Sequence, residues 1–233
     1  MRIVDFEQGS DLWIKFRAGK QTASRMADVM SFLKKGGEGA DRRNYRTELV
    51  TERITGMANE HYVSRDMERG TELEPYARSV YEATQGVLVD TVGFVLHPTL
   101  DYLGASPDGL VGKDGGMEIK CPRDTTHVRW IKEGVVPMEH RPQMYTNMLC
   151  CERDWWDFCS FSPYLKPFIL RLSRDEAEIR KIEEEAARFE EEVSFDVKQL
   201  QPWVLPSRQN VAPKPPETME SVSDFLEQLD MTP

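Results

Sequence analysis

The stretch GASPDGLVGKDGGMEIKCP, residues 104–122, decides how the rest of the chain is read. Near its end Met117, Ile119 and Cys121 alternate with Glu118 and Lys120, the period-two pattern of a half-buried strand. Such a strand puts the Glu118 and Lys120 side chains on one face, about 6.5–7 Å apart, and the three apolar ones on the other. Residues 102–111 form a second β-type segment, and Lys113-Asp114-Gly115-Gly116 between the two is turn chemistry. A hairpin through that turn carries Asp108, just after Pro107, to the side of Glu118. Pro-Asp-Gly is also ordinary turn composition, and a Glu–Lys pair is ordinary on an exposed strand. What lifts the combination above coincidence is its placement across a strand, a turn and a strand.

Two carboxylates and an amine at a sheet edge suit phosphodiester hydrolysis. Mg²⁺ prefers hard oxygen ligands and keeps waters that can become nucleophiles. Asp108 and Glu118 would hold such an ion, and the backbone carbonyl of Ile119 would add a third oxygen. Lys120 could orient or deprotonate the attacking water, or stabilise the pentavalent phosphorus. On a helix expected at 68–84, Glu74 and Arg78 share a face with Tyr81, and Glu74 could serve a second metal position. An exposed ion pair four residues apart is the plainer account of Glu74 and Arg78. His140, Gln143 and Asn147 form a polar stripe on a helix expected at 139–151, and most such stripes face solvent. Arg17, Lys20, Thr22 and Ser24 group near the start of another helix, where amides and an arginine make a phosphate cradle. Helix capping explains Thr22 equally well.

Around these residues the periodicity predicts helices at 10–17, 22–32, 45–57, 68–84, 124–133 and 139–151, and a long one over the acidic block 175–192. Strands are expected at 87–96, 102–111, 117–121, 155–162 and 168–172. Pro75 is expected in the first turn of its helix and Gly86 just past its end. That order predicts an α+β fold with a central mixed sheet flanked by helices. Residues 1–200 read as one domain; 201–233 read as a proline-rich linker and an acidic amphipathic tail around Phe225 and Leu229.

The net charge of −10 argues against a generally basic nucleic-acid surface, so a nucleic-acid enzyme here must concentrate its basic residues. Much of the acid sits in the block at 175–192. Cys121, Cys150, Cys151 and Cys159 form no CxxC pair and read as free thiols of a reducing compartment. No apolar run suits a membrane span and the first residues carry no apolar signal core, so a cytoplasmic protein is expected.

The segments LWIKFRAGKQTAS, RGTELEPYARSVYE, SPDGL, MEIKCP and RPQMYTNMLC, in that order, resemble the lambda-exonuclease and YqaJ-like viral recombinase family. These are PD-(D/E)xK nucleases, and the likeness runs from about residue 5 to residue 190. It implies a restriction-endonuclease-like core and a ring-shaped homotrimer around duplex DNA. The implied activity is processive 5′–3′ digestion of one strand from a double-strand end. A 3′ overhang is left for a single-strand annealing protein, in the bacterial cell that hosts the phage or prophage. Two Mg²⁺ ions are implied, with Mn²⁺ able to substitute. By position Asp108, Glu118 and the Ile119 carbonyl match metal ligands, Lys120 the catalytic lysine, Glu74 the helix carboxylate near the second metal, and Gln143 a glutamine of the site. Arg17, Ser24 and Ser106 match positions that grip the terminal 5′-phosphate. A second phosphate-binding arginine of the family falls near Thr126, where Arg123 is the nearest basic residue, and His140 stands in place of a tyrosine. Other readings stay open: an endonuclease on the same core, or a non-catalytic DNA-binding protein. An iron–sulfur nuclease of this core needs one cysteine upstream of the catalytic block, and none is present.

Overall fold

The computed structural model of the chain describes residues 1–59 and 64–204. The linker from 205 and the amphipathic tail lie outside the described residues. In chain order the elements are β1 (Arg2–Val4), α1 (Asp11–Arg17), β2 (Gln21–Thr22), α2 (Met26–Val29), α3 (Ala40–Thr55), α4 (Arg65–Gln85), β3 (Val89–Asp90) and β4 (Phe94–Leu96). They continue with β5 (Leu103–Ala105), β6 (Gly109–Val111), β7 (Gly115–Lys120), α5 (Asp124–Glu133), α6 (Arg141–Cys151), β8 (Trp155–Ser162), β9 (Leu165–Ser173) and α7 (Glu176–Leu200). The strands form a mixed five-stranded sheet, β3-β6-β7-β8-β9, and a smaller one, β1-β4-β5-β2.

The α+β reading with a helix-flanked mixed sheet holds, but the strands divide between two sheets. The segment expected as one strand at 87–96 breaks into β3 and β4, which belong to different sheets. Gly93 lies at the break: a Cβ there would come within 2.4 Å of the Val4 and Phe6 carbonyl oxygens, so the chain turns close against β1. Likewise 102–111 breaks into β5 and β6 around Ser106-Pro107-Asp108, because Pro107 has no N–H to give a ladder. The hairpin turn is tighter than expected. Gly115 and Gly116 belong to β7 itself, and a Cβ on either would run into the Trp155 or Trp156 ring at 2.0–2.3 Å.

The β7 strand is central. It pairs antiparallel with β6 (Gly109↔Met117) and parallel with β8 (Glu118↔Phe158, Lys120↔Ser160). Met117 and Ile119 pack with Ala77 and Tyr81 of α4 on one face. On the other face Trp156 and Phe158 of β8 join a larger core with Met144, Met148 and Ile182 from α6 and α7.

Three helix expectations need correction. Helix 22–32 is instead strand β2, a 3-10 turn and the four-residue α2; Thr22 makes no capping bond. Its residue pairs with Gly104, so a ladder claims the backbone that a cap would have started. The α3 helix starts at Ala40, five residues before the expected start, because Gly39 in extended conformation opens it. Pro75 sits mid-helix in α4, not in its first turn. Pro75 and Thr71 both lie on the exposed side, where water can serve the carbonyl left without an N–H. Gly86 caps α4 with φ +66, as expected.

Candidate active site

Break and hairpin together assemble the predicted cluster. Asp108 leaves the β5–β6 break, and its Oδ2 accepts the Ile119 N–H at 2.6 Å. Glu118 is buried at 1% exposure, and its Oε1 accepts from Lys120 Nζ at 2.6 Å. Lys120 also reaches Gln143 Oε1 of α6 at 3.3 Å. The stripe on α6 therefore faces the site, not solvent. Asn147, which the sequence placed on that stripe without a role, donates Nδ2 to Glu118 Oε2 at 3.0 Å, while its Oδ1 is buried with no partner. Both oxygens of Glu118 are thus held. The apolar residues around Asn147 in MYTNML are the signal that a polar residue there is buried.

Charge at the site is unbalanced. Burial first, then Glu118 and Glu74, push the Asp108 carboxyl well above the usual carboxylate range, with Lys120 opposing. Burial also disfavours the Lys120 ammonium, but Glu118, Asp108 and Glu74 outweigh it and the net shift is upward. Glu74 accepts from Arg78 Nη2 at 2.6 Å, the expected i,i+4 pair, and shares with Asp108 a cavity of about 250 Å³. Among the described residues no three acid, histidine or cysteine side chains lie close enough to hold an ion by themselves. The residues present that would offer hard oxygens to a divalent cation are Asp108 and Glu118, and a backbone carbonyl such as that of Ile119 and water would be needed to complete the shell. Carboxylates that repel one another around a single ammonium are where such a cation lowers the energy. Gln8 steadies this loop by donating Nε2 to the carbonyls of Val92 at 2.9 Å and Pro107 at 3.0 Å, a contact the sequence did not signal.

A second cavity, of about 860 Å³, is lined by Trp13, Arg17, Lys20, Thr22, Ser24 and Arg25 among others. The cradle group at Arg17–Ser24 is thus brought together. The Arg17 guanidinium stacks on Trp13 at 3.9 Å, and Trp13 Nε1 donates to Ser106 Oγ at 3.1 Å. Ser106 is two residues from Asp108, so this contact ties the second cavity to the carboxylate cluster.

Two predicted DNA-contacting residues do not line the larger cavity. Arg123 is 73% exposed and paired with Asp66 at 2.6 Å, and it does not line this cavity. The His140 ring stacks on Phe158 at 5.5 Å, and burial, then Lys120, pull its proton affinity down to about 4. It is a neutral packing residue near the cluster, with no charge to offer DNA at neutral pH.

The model of the YqaJ-like viral recombinase domain matches residues 12–154. The chain belongs to that family. This YqaJ-like protein is 42% identical to LHK-Exo, an alkaline exonuclease from Laribacter hongkongensis, with a TM-score of 0.77. The match covers 83% of this chain and 97% of that one. A second structure of LHK-Exo, in complex with dAMP, matches to the same extent. A phage-related exonuclease from Haemophilus somnus 129PT shares the fold at TM-score 0.60 and 16% identity, over 78% of this chain and 96% of the other. No curated protein matches the YqaJ-like chain. It is a nuclease on the PD-(D/E)xK exonuclease fold, as the five segments implied. No helix among the described residues is long and apolar enough to cross a membrane.

Proposed function

We propose that this nuclease is a Mg²⁺-dependent exonuclease that digests one strand of duplex DNA in the 5′–3′ direction, processively, from a phosphorylated end. The observation that carries the reading is the meeting of Asp108, Glu118, Lys120 and Gln143 at one end of β7. Asp108, Glu118 and the Ile119 carbonyl would hold the ion, with Glu74 beside a second position. When bound, the ion supplies a water activated for attack and a Lewis acid at the phosphate. The chain's own residues do the rest. Lys120 keeps its proton against Glu118 and so offers positive charge to the phosphorane. Gln143 fixes the direction of the Lys120 ammonium, and Asn147 fixes the rotamer of Glu118. Arg17 and Ser24 would bind the 5′-phosphate in the larger cavity, with Ser106 reached through Trp13. That arrangement registers the first phosphodiester on the carboxylates.

The wider reading is a ring-shaped homotrimer around the duplex in a bacterial cytoplasm, feeding its 3′ overhang to an annealing protein. Mn²⁺ would replace Mg²⁺. The test is digestion of linear duplexes labelled at the 5′ or the 3′ end, with and without Mg²⁺, beside a covalently closed circle. The 5′ label should leave first, the 3′ label should stay in the shortening strand, and the circle should survive. Release of the 3′ label first, or cutting of the circle, would overturn the reading.

A further inference from the structure

We propose that Lys20 is a second cationic ligand for the terminal 5′-phosphate, acting beside Arg17; this rests on the phosphate reading of the larger cavity. The turn that follows α1 brings the two residues together. Ala18 has φ −52 and ψ 132, Gly19 has φ +72, and the Lys20 N–H donates to the Arg17 carbonyl at 3.0 Å. This is a type II turn with glycine at its third position, and its first and fourth residues lie within about 7 Å. Arg17 and Lys20 both line the cavity.

Of the wall's other charges, Arg25 is matched in ion pairs, whereas Glu52 is held by backbone amides and pulls on both Arg17 and Lys20 at longer range. Arg25 pairs with Asp28 at 2.5 Å and with Glu48 at 3.0 Å. Glu52 gives its carboxylate to two backbone amides, those of Gly19 at 2.6 Å and Asn59 at 2.9 Å. Neither Arg17 nor Lys20 makes an ion pair among the described residues. The Arg17 Nε is buried with no partner. Lys20 Nζ donates to the Phe16 carbonyl at 2.8 Å and lies 4.5 Å over the Phe16 ring, which leaves donors of the ammonium to spare. Burial, then the nearby Arg53, hold its proton affinity down to about 8, against a weaker pull from Asp101 and Glu52, neither of which is in ion-pair contact with it. A half-buried cation with spare donors and no carboxylate in direct contact gains from an anion that completes it. A terminal phosphate carries the charge and the oxygens to do so.

The experiment uses the full chain in EDTA, so that no cleavage occurs. Fluorescence anisotropy measures binding of short duplexes that differ only in a 5′-phosphate or a 5′-hydroxyl. The native protein should prefer the phosphorylated end. Lys20→Met should shrink that preference roughly tenfold, the worth of a hydrogen bond between charged groups, and Lys20→Arg should restore most of it. If the native protein shows no preference, the phosphate reading itself fails. A native preference that Lys20→Met leaves intact refutes the Lys20 assignment alone. So does equal weakening on both ends, which general electrostatics or altered folding would give. Thermal melts identify any loss of folding, in which case Lys20→Gln is the variant on which the same ratio is decided.

Discussion

Asp108→Asn should make the metal-free protein more stable while abolishing its nuclease activity. Glu74 is matched by Arg78, and Glu118 by Lys120 and Asn147, so the uncompensated charge of the cluster rests on Asp108. Its carboxylate accepts the backbone N–H of Ile119. Taking a carboxylate out of water costs several kcal/mol, and one charge-assisted hydrogen bond returns about 1.5–3 kcal/mol. A deficit of about 1–2 kcal/mol remains, within the range gained when a strained site group is neutralised. Asparagine keeps an oxygen for the Ile119 N–H and carries no charge. The sign in pH follows from the upward shift of Asp108. The native state holds this proton more tightly than the unfolded chain, so the part of the stability that this group sets is greatest at acid pH. It falls as pH rises from the ordinary carboxylate range through the raised native value. The assay is a thermal melt in EDTA from pH 4 to 8.5. Near pH 4 the two proteins should match, and at pH 8 the variant should melt about 2–6 °C higher, at roughly 2–4 °C per kcal/mol for a chain this size. Added Mg²⁺ should raise the native melt and leave the variant unmoved. A variant less stable than the native protein at every pH, or with the same slope in pH, would refute the charge argument.

Other outcomes follow from the same contacts. Glu118→Ala should abolish hydrolysis, and Lys120→Ala should lower single-turnover cleavage by roughly 10²–10⁴-fold while gel-shift binding of DNA survives. Asn147→Ala frees Glu118 Oε2 and should weaken Mg²⁺ affinity, measured by calorimetry, about 10–100-fold, as loss of a supporting hydrogen bond does. Gly19→Ala places a methyl 2.9 Å from Arg53 Cγ at φ +72 and should cost about 1–2 kcal/mol in urea unfolding.

Legibility in the sequence followed the range of the interactions. The Glu118-Ile119-Lys120 spacing was readable because a strand has a period of two, and Asp108 because one turn joins it to that strand. The helix over 124–133 and the strand over 155–162 fell where the sequence put them, since the helix buries one side through His127 and Trp130 and the strand is a largely apolar run buried on both faces. What could not be read depends on partners far along the chain. The division into two sheets follows from Gly93 meeting β1, 89 residues from Val4, and the fate of Thr22 follows from its pairing with Gly104. The α6 stripe points inward because Glu118 is there to receive Asn147, and no local rule distinguishes that from a solvated face. Lys20 shares a cavity wall with Arg17, as the sequence grouped them, but that no carboxylate contacts it depends on Glu52 being taken up by backbone amides and Glu48 by Arg25.

The β7 strand lies between two neighbours of opposite polarity, and this bears on which relatives can share the chemistry. The segment joining β6 to β7 is tied to the start of β8, because the Asp114 carbonyl accepts the N–H groups of Asp154 at 2.8 Å and Trp155 at 3.3 Å and the Gly112 carbonyl accepts from Arg153 Nη1 at 3.0 Å. A change in its length therefore disturbs the entry to that strand but leaves the period of β7 itself intact. One residue added between Glu118 and Lys120 breaks that period: it would rotate the ammonium into the apolar layer against α4, where Met117 and Ile119 lie. Divergent homologues should therefore hardly vary in the interval from the acid to the lysine.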